Sequence, residues 1–384
     1  MLHNTSIRFT KAITLHLFRL KCLVFIYFPY WKITLGLELK MRIAAFFLIF
    51  TMIVFTAGYL LNIETYLRYH FMVIMLTVAG LTKLSIIYAR KLGFVDSPSV
   101  RKMHKNPTPS IGGMVFIPIA LISWLIKMSD SVDEKVLSLS FSILLIFILG
   151  LIDDRKPISH RIKLPLQILA SVIAIHYWNF IPLDFGGAFG INTVGNIWGW
   201  LLMIAFFQFT INAINYMDGI NGLLGGYLVL VFSFLYIWSG SIDLMEIKHL
   251  LASMIAGILA FLYFNFRRTA ETFMGDAGST VLGLIAATAT TRIIQIVPKS
   301  SISLGAIDYT IPAFFIFVII FWYPLFDSLQ VYTRRVIRGN SPFIADRLHV
   351  HHWLMLKTNK NHLLSSLYII GITAAVLFGM SLSL

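Results

Sequence analysis

Four aspartates stand in short polar breaks of an otherwise apolar chain. They are Asp153 and Asp154, before Arg155-Lys156; Asp218, in Asn215-Tyr216-Met217-Asp218-Gly219-Ile220-Asn221-Gly222; and Asp276, in Met274-Gly275-Asp276-Ala277-Gly278-Ser279. Adjacent carboxylates such as Asp153 and Asp154 repel each other unless a cation or a basic side chain compensates. Oxygen ligands without cysteine suit Mg²⁺, or Mn²⁺, rather than structural zinc. Mg²⁺ takes one or two carboxylates and fills its shell with waters and phosphate oxygens, so the set points to phosphate chemistry. Gly275 and Gly278 flank Asp276 just before an apolar run that starts near Ser279. Backbone N–H groups opened by small residues at a helix start favour anions, and Ser279 is a candidate N-cap there. The bland alternative is interfacial solvation at helix ends, which explains one aspartate better than four.

A second group is basic. His349, His351 and His352 follow Arg347 in Asp346-Arg347-Leu348-His349-Val350-His351-His352, downstream of Arg334, Arg335 and Arg338. Guanidiniums disfavour a second bound cation and suit a diphosphate, so contact with an anion or sugar phosphate is the leading reading. A metal site and a structural loop stay open. Lys102 and His104, in Arg101-Lys102-Met103-His104-Lys105, fit a phosphate or the lipid headgroups. A tight turn accounts for Gly112-Gly113 after Pro107-Thr108-Pro109.

The elements that must position these residues are membrane helices. Of 384 residues, 58% are hydrophobic and 12% charged, against about 25% charged in soluble domains. Such a chain cannot cover a soluble surface, is too apolar for disorder, and with one cysteine, Cys22, is no disulfide scaffold. Apolar runs of spanning length occur at 42–62, 69–88, 112–128, 136–152, 164–181, 197–214, 222–239, 246–264, 279–297, 311–330 and 365–383. The expectation is an all-α polytopic protein of 10–11 transmembrane helices, eleven on this count. Strand alternation is missing from these runs, which argues against a barrel. Residues 1–41 read as a basic N-terminal extension of the membrane domain 42–384, either an interfacial segment or sequence ahead of a start at Met41. Lys83, His176 and Arg292 lie within spans, where snorkelling or helix pairing is the default.

The net charge of +14 is unevenly placed. Seventeen Lys and Arg fall in loops of one parity, from Arg90 and Lys91 through Arg155, Lys163 and Arg267 to Lys360; the other parity holds only Lys127, Lys135, Lys248 and Lys299. The positive-inside rule puts the first set in the cytoplasm. All the polar motifs lie on that side, so a single cytoplasmic site at the membrane surface is expected. The charge calls for no nucleic acid.

These segments, in this order, closely resemble the polyprenyl-phosphate N-acetylhexosamine-1-phosphate transferases, across about residues 69–360. Pro342-Phe343, Asp346-Arg347 and the His349-Val350-His351-His352 tract are similar to the bacterial N-acetylglucosamine-1-phosphate branch, which initiates O-antigen, enterobacterial common antigen or teichoic-acid-linkage synthesis. The resemblance implies transfer of GlcNAc-1-phosphate from a UDP-sugar to undecaprenyl phosphate, with release of UMP, at the bacterial inner (plasma) membrane. It implies Mg²⁺ on Asp276, with Asn215 matching an Asn ligand of eukaryotic relatives. Asp153 and Asp154 match a pair near the lipid phosphate, and Asp218 an active-site aspartate. Asn221, Phe273 and Gly275 fall at the nucleotide; Arg347, His349, His351 and His352 face the sugar and diphosphate; Lys102 and His104 belong to the lipid-phosphate loop. The partners are then the UDP-N-acetylhexosamine, undecaprenyl phosphate and membrane lipid, with a homodimer an open alternative to a monomer.

Two positions depart from the pattern. Asn221 stands where many bacterial members carry Asp, although an amide oxygen still accepts a hydrogen bond from uracil. Glu271 stands where a basic residue is usual, which bears on substrate preference rather than reaction type. Two other classes compete. A CDP-alcohol phosphotransferase needs further spaced aspartates after Asp218-Gly219, and Leu223 to Phe232 holds none. A transporter would carry ionisable groups near mid-span, whereas these carboxylates lie at helix ends.

Overall fold

The computed structural model describes residues 65–96, 107–180, 183–184, 193–241, 244–296, 313–339 and 349–381. They belong to one compact unit, 64–384. The extension 1–41, the span 42–62, Lys102, His104 and Arg347 lie outside the described residues.

The chain runs through α1 (Thr65–Leu92), β1 (Val95–Asp96), β2 (Thr108–Pro109), α2 (Gly112–Lys127) and α3 (Glu134–Arg155). It continues through α4 (His160–Tyr177), β3 (Leu183–Asp184), β4 (Thr193–Val194), α5 (Asn196–Tyr216) and α6 (Leu223–Ser241). Then follow α7 (Met245–Asn265), α8 (Asp276–Ile296), α9 (Ala313–Ile320), α10 (Trp322–Ile337), α11 (Val350–Lys357) and α12 (His362–Ser381). The strands form two antiparallel pairs, β1 with β2 and β3 with β4.

Among the described residues, seven helices are long and apolar enough to cross a membrane: α1, α3, α5, α6, α7, α8 and α12. Their outward side chains remain apolar, with Leu76 70%, Trp198 71% and Phe378 64% exposed. So much exposed apolar surface suits lipid, not water. α7 and α8 are buried along nearly their whole length and form the centre. A helix apolar all round belongs there. The Gly, Ala, Ser and Thr of α8 let neighbouring helices come close.

Three expectations change in detail. α2 has 16 residues, about 24 Å of helix at 1.5 Å per residue, and is shorter than a typical span. The run at 311–330 is two helices, α9 and α10, interrupted at Phe321. Tyr227 Oη on α6 donates to the Ile320 carbonyl there at 2.8 Å, satisfying a group that the break exposes. Gly112-Gly113 is no turn but the first turn of α2. Its N–H groups donate to Phe273 O (2.9 Å) and Met274 O (2.8 Å), and an added Cβ at Gly113 would overlap the Gly278 backbone.

The intramembrane charges are partnered. Lys83 on α1 lies 3.4 Å from Glu271, Arg292 on α8 lies 4.0 Å from Glu246 and over the Trp178 ring, and His176 stacks on Trp200.

Candidate active site

One end of the bundle collects the last turns of α3 and α5 and the first turns of α4 and α8. Pro157 ends α3 just past the aspartate pair, because the residue before proline avoids the helical region. Asp153 and Asp154 thus sit in the final turn. Gly275, at φ +78°, turns the chain into α8, a backbone state that glycine adopts without strain.

Asp154 caps α8 from outside. Its Oδ1 accepts the Asp276 N–H at 2.8 Å and its Oδ2 the Ala277 N–H at 3.0 Å. These are two of the orphan donors at a helix start, so the anion-binding position expected there is filled by the protein's own carboxylate. Ser279 is not the N-cap. It lies inside the first turn, where its hydroxyl donates to Gly275 O and receives Asn215 Nδ2, both at 2.9 Å.

Lys163, in the first turn of α4, joins the carboxylates. Its ammonium lies 2.8 Å from Asp153 Oδ2 and also binds Asp276 Oδ2. Asp153 Oδ1 accepts the Ile158 N–H at 2.6 Å, and Asp276 Oδ1 accepts Asn215 Nδ2 at 3.0 Å. Burial alone would lower the pKa of Lys163, but the Asp276 and Asp153 carboxylates outweigh it and hold the value above that of ordinary lysine. Asp218 accepts the Gly275 N–H at 3.2 Å. Burial pushes its carboxyl well above the usual range; the Gly275 N–H opposes this, while Asp154, Asp276 and Asp96 push the same way.

The histidine tract packs on the same turn. A Cβ added to Gly219 would lie 2.8 Å from His351 Nε2, and the Tyr216 and His349 rings are 5.7 Å apart. His349 Nδ1 lies 2.9 Å from Asp327 Oδ2, and His351 Nδ1 3.4 Å from the same oxygen and 3.3 Å from Tyr323 Oη. Burial lowers the His351 pKa, against the pull of Asp327.

The nucleotide-side residues are held by backbone. Phe273 N–H donates to Pro109 O at 2.8 Å, and Ser110 bridges to Phe273. Asn221 Nδ2 donates to Arg267 O at 2.7 Å, and its backbone N–H to His362 Nδ1 at 3.2 Å. The amide nitrogen is thus committed to the 266–272 loop. Glu271 is ion-paired with Arg267, whose guanidinium also covers the Tyr263 ring at 4.8 Å. Arg267 therefore holds its own loop together.

Asp153, Asp154, Asn215, Asp218 and Asp276 converge, and His351 and His352 meet them at Gly219, with His349 beside Tyr216; Phe273 on the 266–275 loop and Asn221, bonded to that loop, flank the group. Two further residues carry the arrangement. Lys163 reads in the sequence as one more topogenic charge. Asp327 reads as part of an apolar run, although an acid inside such a run is itself a functional signal.

This is a helical, membrane-embedded protein whose carboxylates, one ammonium and a histidine tract gather at one end of the bundle. Residues 136–294 match the profile of glycosyl transferase family 4. The chain is 31% identical to the undecaprenyl-phosphate alpha-N-acetylglucosaminyl 1-phosphate transferase of Yersinia pestis, over 77% of this chain and 78% of that protein. It is equally 31% identical to the enzyme of the same name from Escherichia coli (strain K12), over 70% of each chain. It is 28% identical to the decaprenyl-phosphate N-acetylglucosaminephosphotransferase of Mycolicibacterium smegmatis, over 73% and 75%. The chain belongs to glycosyl transferase family 4, in the group of polyprenyl-phosphate sugar-1-phosphate transferases.

Proposed function

We propose that the protein transfers N-acetylhexosamine 1-phosphate, GlcNAc 1-phosphate in the first instance, from a UDP-sugar to undecaprenyl phosphate at the cytoplasmic face of the bacterial inner membrane. The product is a polyprenyl-diphosphate sugar and UMP leaves, which would initiate a cell-surface polysaccharide. The observation that carries this reading is the Lys163 bridge between Asp153 and Asp276, with Asn215 and Asp218 alongside. The names of the matched relatives supply the acceptor class and the sugar.

The donor set fits a divalent cation. Lys163 bridges Asp153 and Asp276, while Asp218 is pushed up first by burial and then by the Asp154 and Asp276 carboxylates. Asp276 and the side-chain oxygen of Asn215 would hold Mg²⁺, whose bound charge would neutralise the diphosphate and the departing UMP.

An oxygen of the lipid phosphate attacks the sugar-bearing phosphorus. A new P–O bond forms, and the bond to the oxygen of UMP breaks. The attacking phosphate needs little activation, since its second pKa is about 6. Asp153, held by Lys163 and the Ile158 N–H, orients that phosphate or accepts a residual proton. Lys163 brings positive charge to the place where two polyanions meet, which a site of low dielectric requires. Arg347 donates to the equatorial oxygens as charge shifts, and the histidine tract lines the sugar and diphosphate. Asn221, its nitrogen held by Arg267 O, offers its oxygen to the uracil. A two-step route through Asp154 is disfavoured, because both its oxygens already accept backbone N–H groups.

The test is a panel of UDP-GlcNAc, UDP-GalNAc and UDP-QuiNAc offered to solubilised protein with undecaprenyl phosphate and Mg²⁺. UMP release with UDP-GlcNAc is expected, and preference for another donor would reassign the sugar. Inversion at the transferred phosphorus is expected as well; net retention would defeat direct displacement.

A further inference from the structure

We infer that Asp327, buried on α10, is the positioning residue of the histidine tract, fixing both the start of α11 and the ring tautomer of His349. The inference rests on the function proposed above. Three elements of the α11 segment converge on this one carboxylate. Its Oδ1 accepts the Val350 N–H at 2.6 Å, which caps α11. Its Oδ2 accepts from His349 Nδ1 at 2.9 Å, with His351 Nδ1 3.4 Å away. Gln330 Nε2, one turn further along α10, approaches Oδ1 at 3.4 Å. Asp327 is 2% exposed, His349 6% and His351 0%.

The chemistry follows from acceptor-only geometry. An ionised carboxylate cannot donate, so His349 carries a proton on Nδ1, which in the neutral ring leaves Nε2 as the lone pair. A histidine ring held at one nitrogen by a carboxylate is fixed in orientation and tautomer, and its other nitrogen gains basicity. The other nitrogen of the neighbouring ring matters too. His351 Nε2 is buried, has no hydrogen-bond partner among the described residues, and is aimed at Gly219 in the Asp218-Gly219 turn. A buried polar atom without a partner is costly. It is explained when the ring is locked in place to meet a ligand at that turn. Tyr323 Oη, 3.3 Å from His351 Nδ1, supports the ring from α10 as well. Asp327 thus touches no substrate; it acts through the two rings.

Asp327→Asn separates this role from a merely structural one. The Asn oxygen still accepts the Val350 N–H, so α11 keeps its cap. Its NH₂ cannot accept from His349 Nδ1, so the tautomer must reverse. We expect a thermal midpoint in detergent close to that of the unaltered protein. We expect kcat for sugar-phosphate transfer to fall about 10–100-fold, with KM for UDP-GlcNAc little changed. Asp327→Asn added to His349→Ala should cost less than the product of the two single losses, the remainder being the share carried through His351. A direct readout needs no variant to fold well: ¹⁵N-histidine spectra of the intact protein should show a neutral Nδ1–H ring whose signals vanish in His349→Ala. An Nε2–H tautomer for His349, unaltered kcat in Asp327→Asn, or losses that multiply in the double variant would overturn the inference. If the unaltered protein transfers no sugar phosphate, the proposed function fails instead, and the tautomer measurement still decides the role of Asp327.

Discussion

The carboxylate of Asp154 and the backbone N–H of Asp276 meet at 2.8 Å, joining the end of α3 to the start of α8. Because Ala277 N–H meets the other oxygen of Asp154 at 3.0 Å, one side chain fixes where α8 begins. The Asp276 carboxylate is thereby carried to Lys163 and Asn215. Of the two adjacent aspartates, Asp154 caps α8 and its neighbour Asp153 pairs with Lys163.

Asp154→Ala should therefore lower stability as well as activity. It strips two donors of their acceptor, and loss of a helix cap costs about 0.5–2 kcal/mol. A lowered thermal midpoint in detergent together with lost transfer is the expected result. An unchanged midpoint would show that α8 needs no external cap.

Lys163→Met leaves Asp153 and Asp276 facing each other without their shared cation. Removing one partner of a buried ion pair costs about 3–5 kcal/mol when nothing else compensates, and transfer should fall by at least about 100-fold if that loss reaches the transition state. Lys163→Arg should retain part of the rate. The lysine pKa is raised in the folded protein above its ordinary 10.5. Its contribution to stability is thus fully present below 10.5 and is lost only as pH rises through the higher folded value. No alkaline loss of activity below pH 10 should trace to Lys163, which rate profiles of the intact protein and Lys163→Arg would check.

Asp218 behaves in the same sense, but from the carboxylate range upward. Its folded pKa is raised by burial, so the stability linked to its proton is complete below its ordinary value and declines as pH rises through the folded one. Asp218→Asn, neutral at every pH, should flatten that decline in the metal-free protein. Thermal midpoints across pH 5–9 measure it, and identical pH slopes for both proteins would contradict it.

Gly113→Ala should be disruptive although the change is one methyl group. The added carbon meets the Gly278 backbone at the α2–α8 crossing, where neither backbone can yield cheaply. Overpacking of this kind costs about 1–3 kcal/mol. The melting curve is the readout, and a midpoint equal to that of the unaltered protein would place slack at this contact.

Chelation should abolish transfer and added Mg²⁺ restore it. Asp276→Asn should lose the Mg²⁺-dependent rate while remaining folded. Turnover by Asp276→Asn like that of the unaltered protein would remove Asp276 as a ligand.

The convergence of Asp153, Asp154, Asp218 and Asp276 was legible in the sequence because loop parity alone places all four at one end of the bundle. The partners inside that end were not. Lys163 lies ten residues from Asp153 and is indistinguishable in sequence from the arginines and lysines that orient the chain. Asp327 sits among apolar residues of a run that looks like one span; only the break at Phe321 and the fold of α11 bring it to His349. Gly112-Gly113 carries a turn-like signature, yet close helix packing demands the same residue. Helix existence follows from hydrophobic runs. Which polar atom meets which follows from tertiary geometry that those runs do not encode.

The most direct measurement supplies purified protein in detergent with undecaprenyl phosphate, Mg²⁺ and UDP-GlcNAc labelled in the sugar, and follows label into the organic phase alongside free UMP. The account predicts that a lipid-linked sugar diphosphate and UMP form in equal amounts, and that Lys163→Met forms neither at a comparable rate. Folded protein that moves no label from any UDP-N-acetylhexosamine, or that releases UDP in place of UMP, would contradict it.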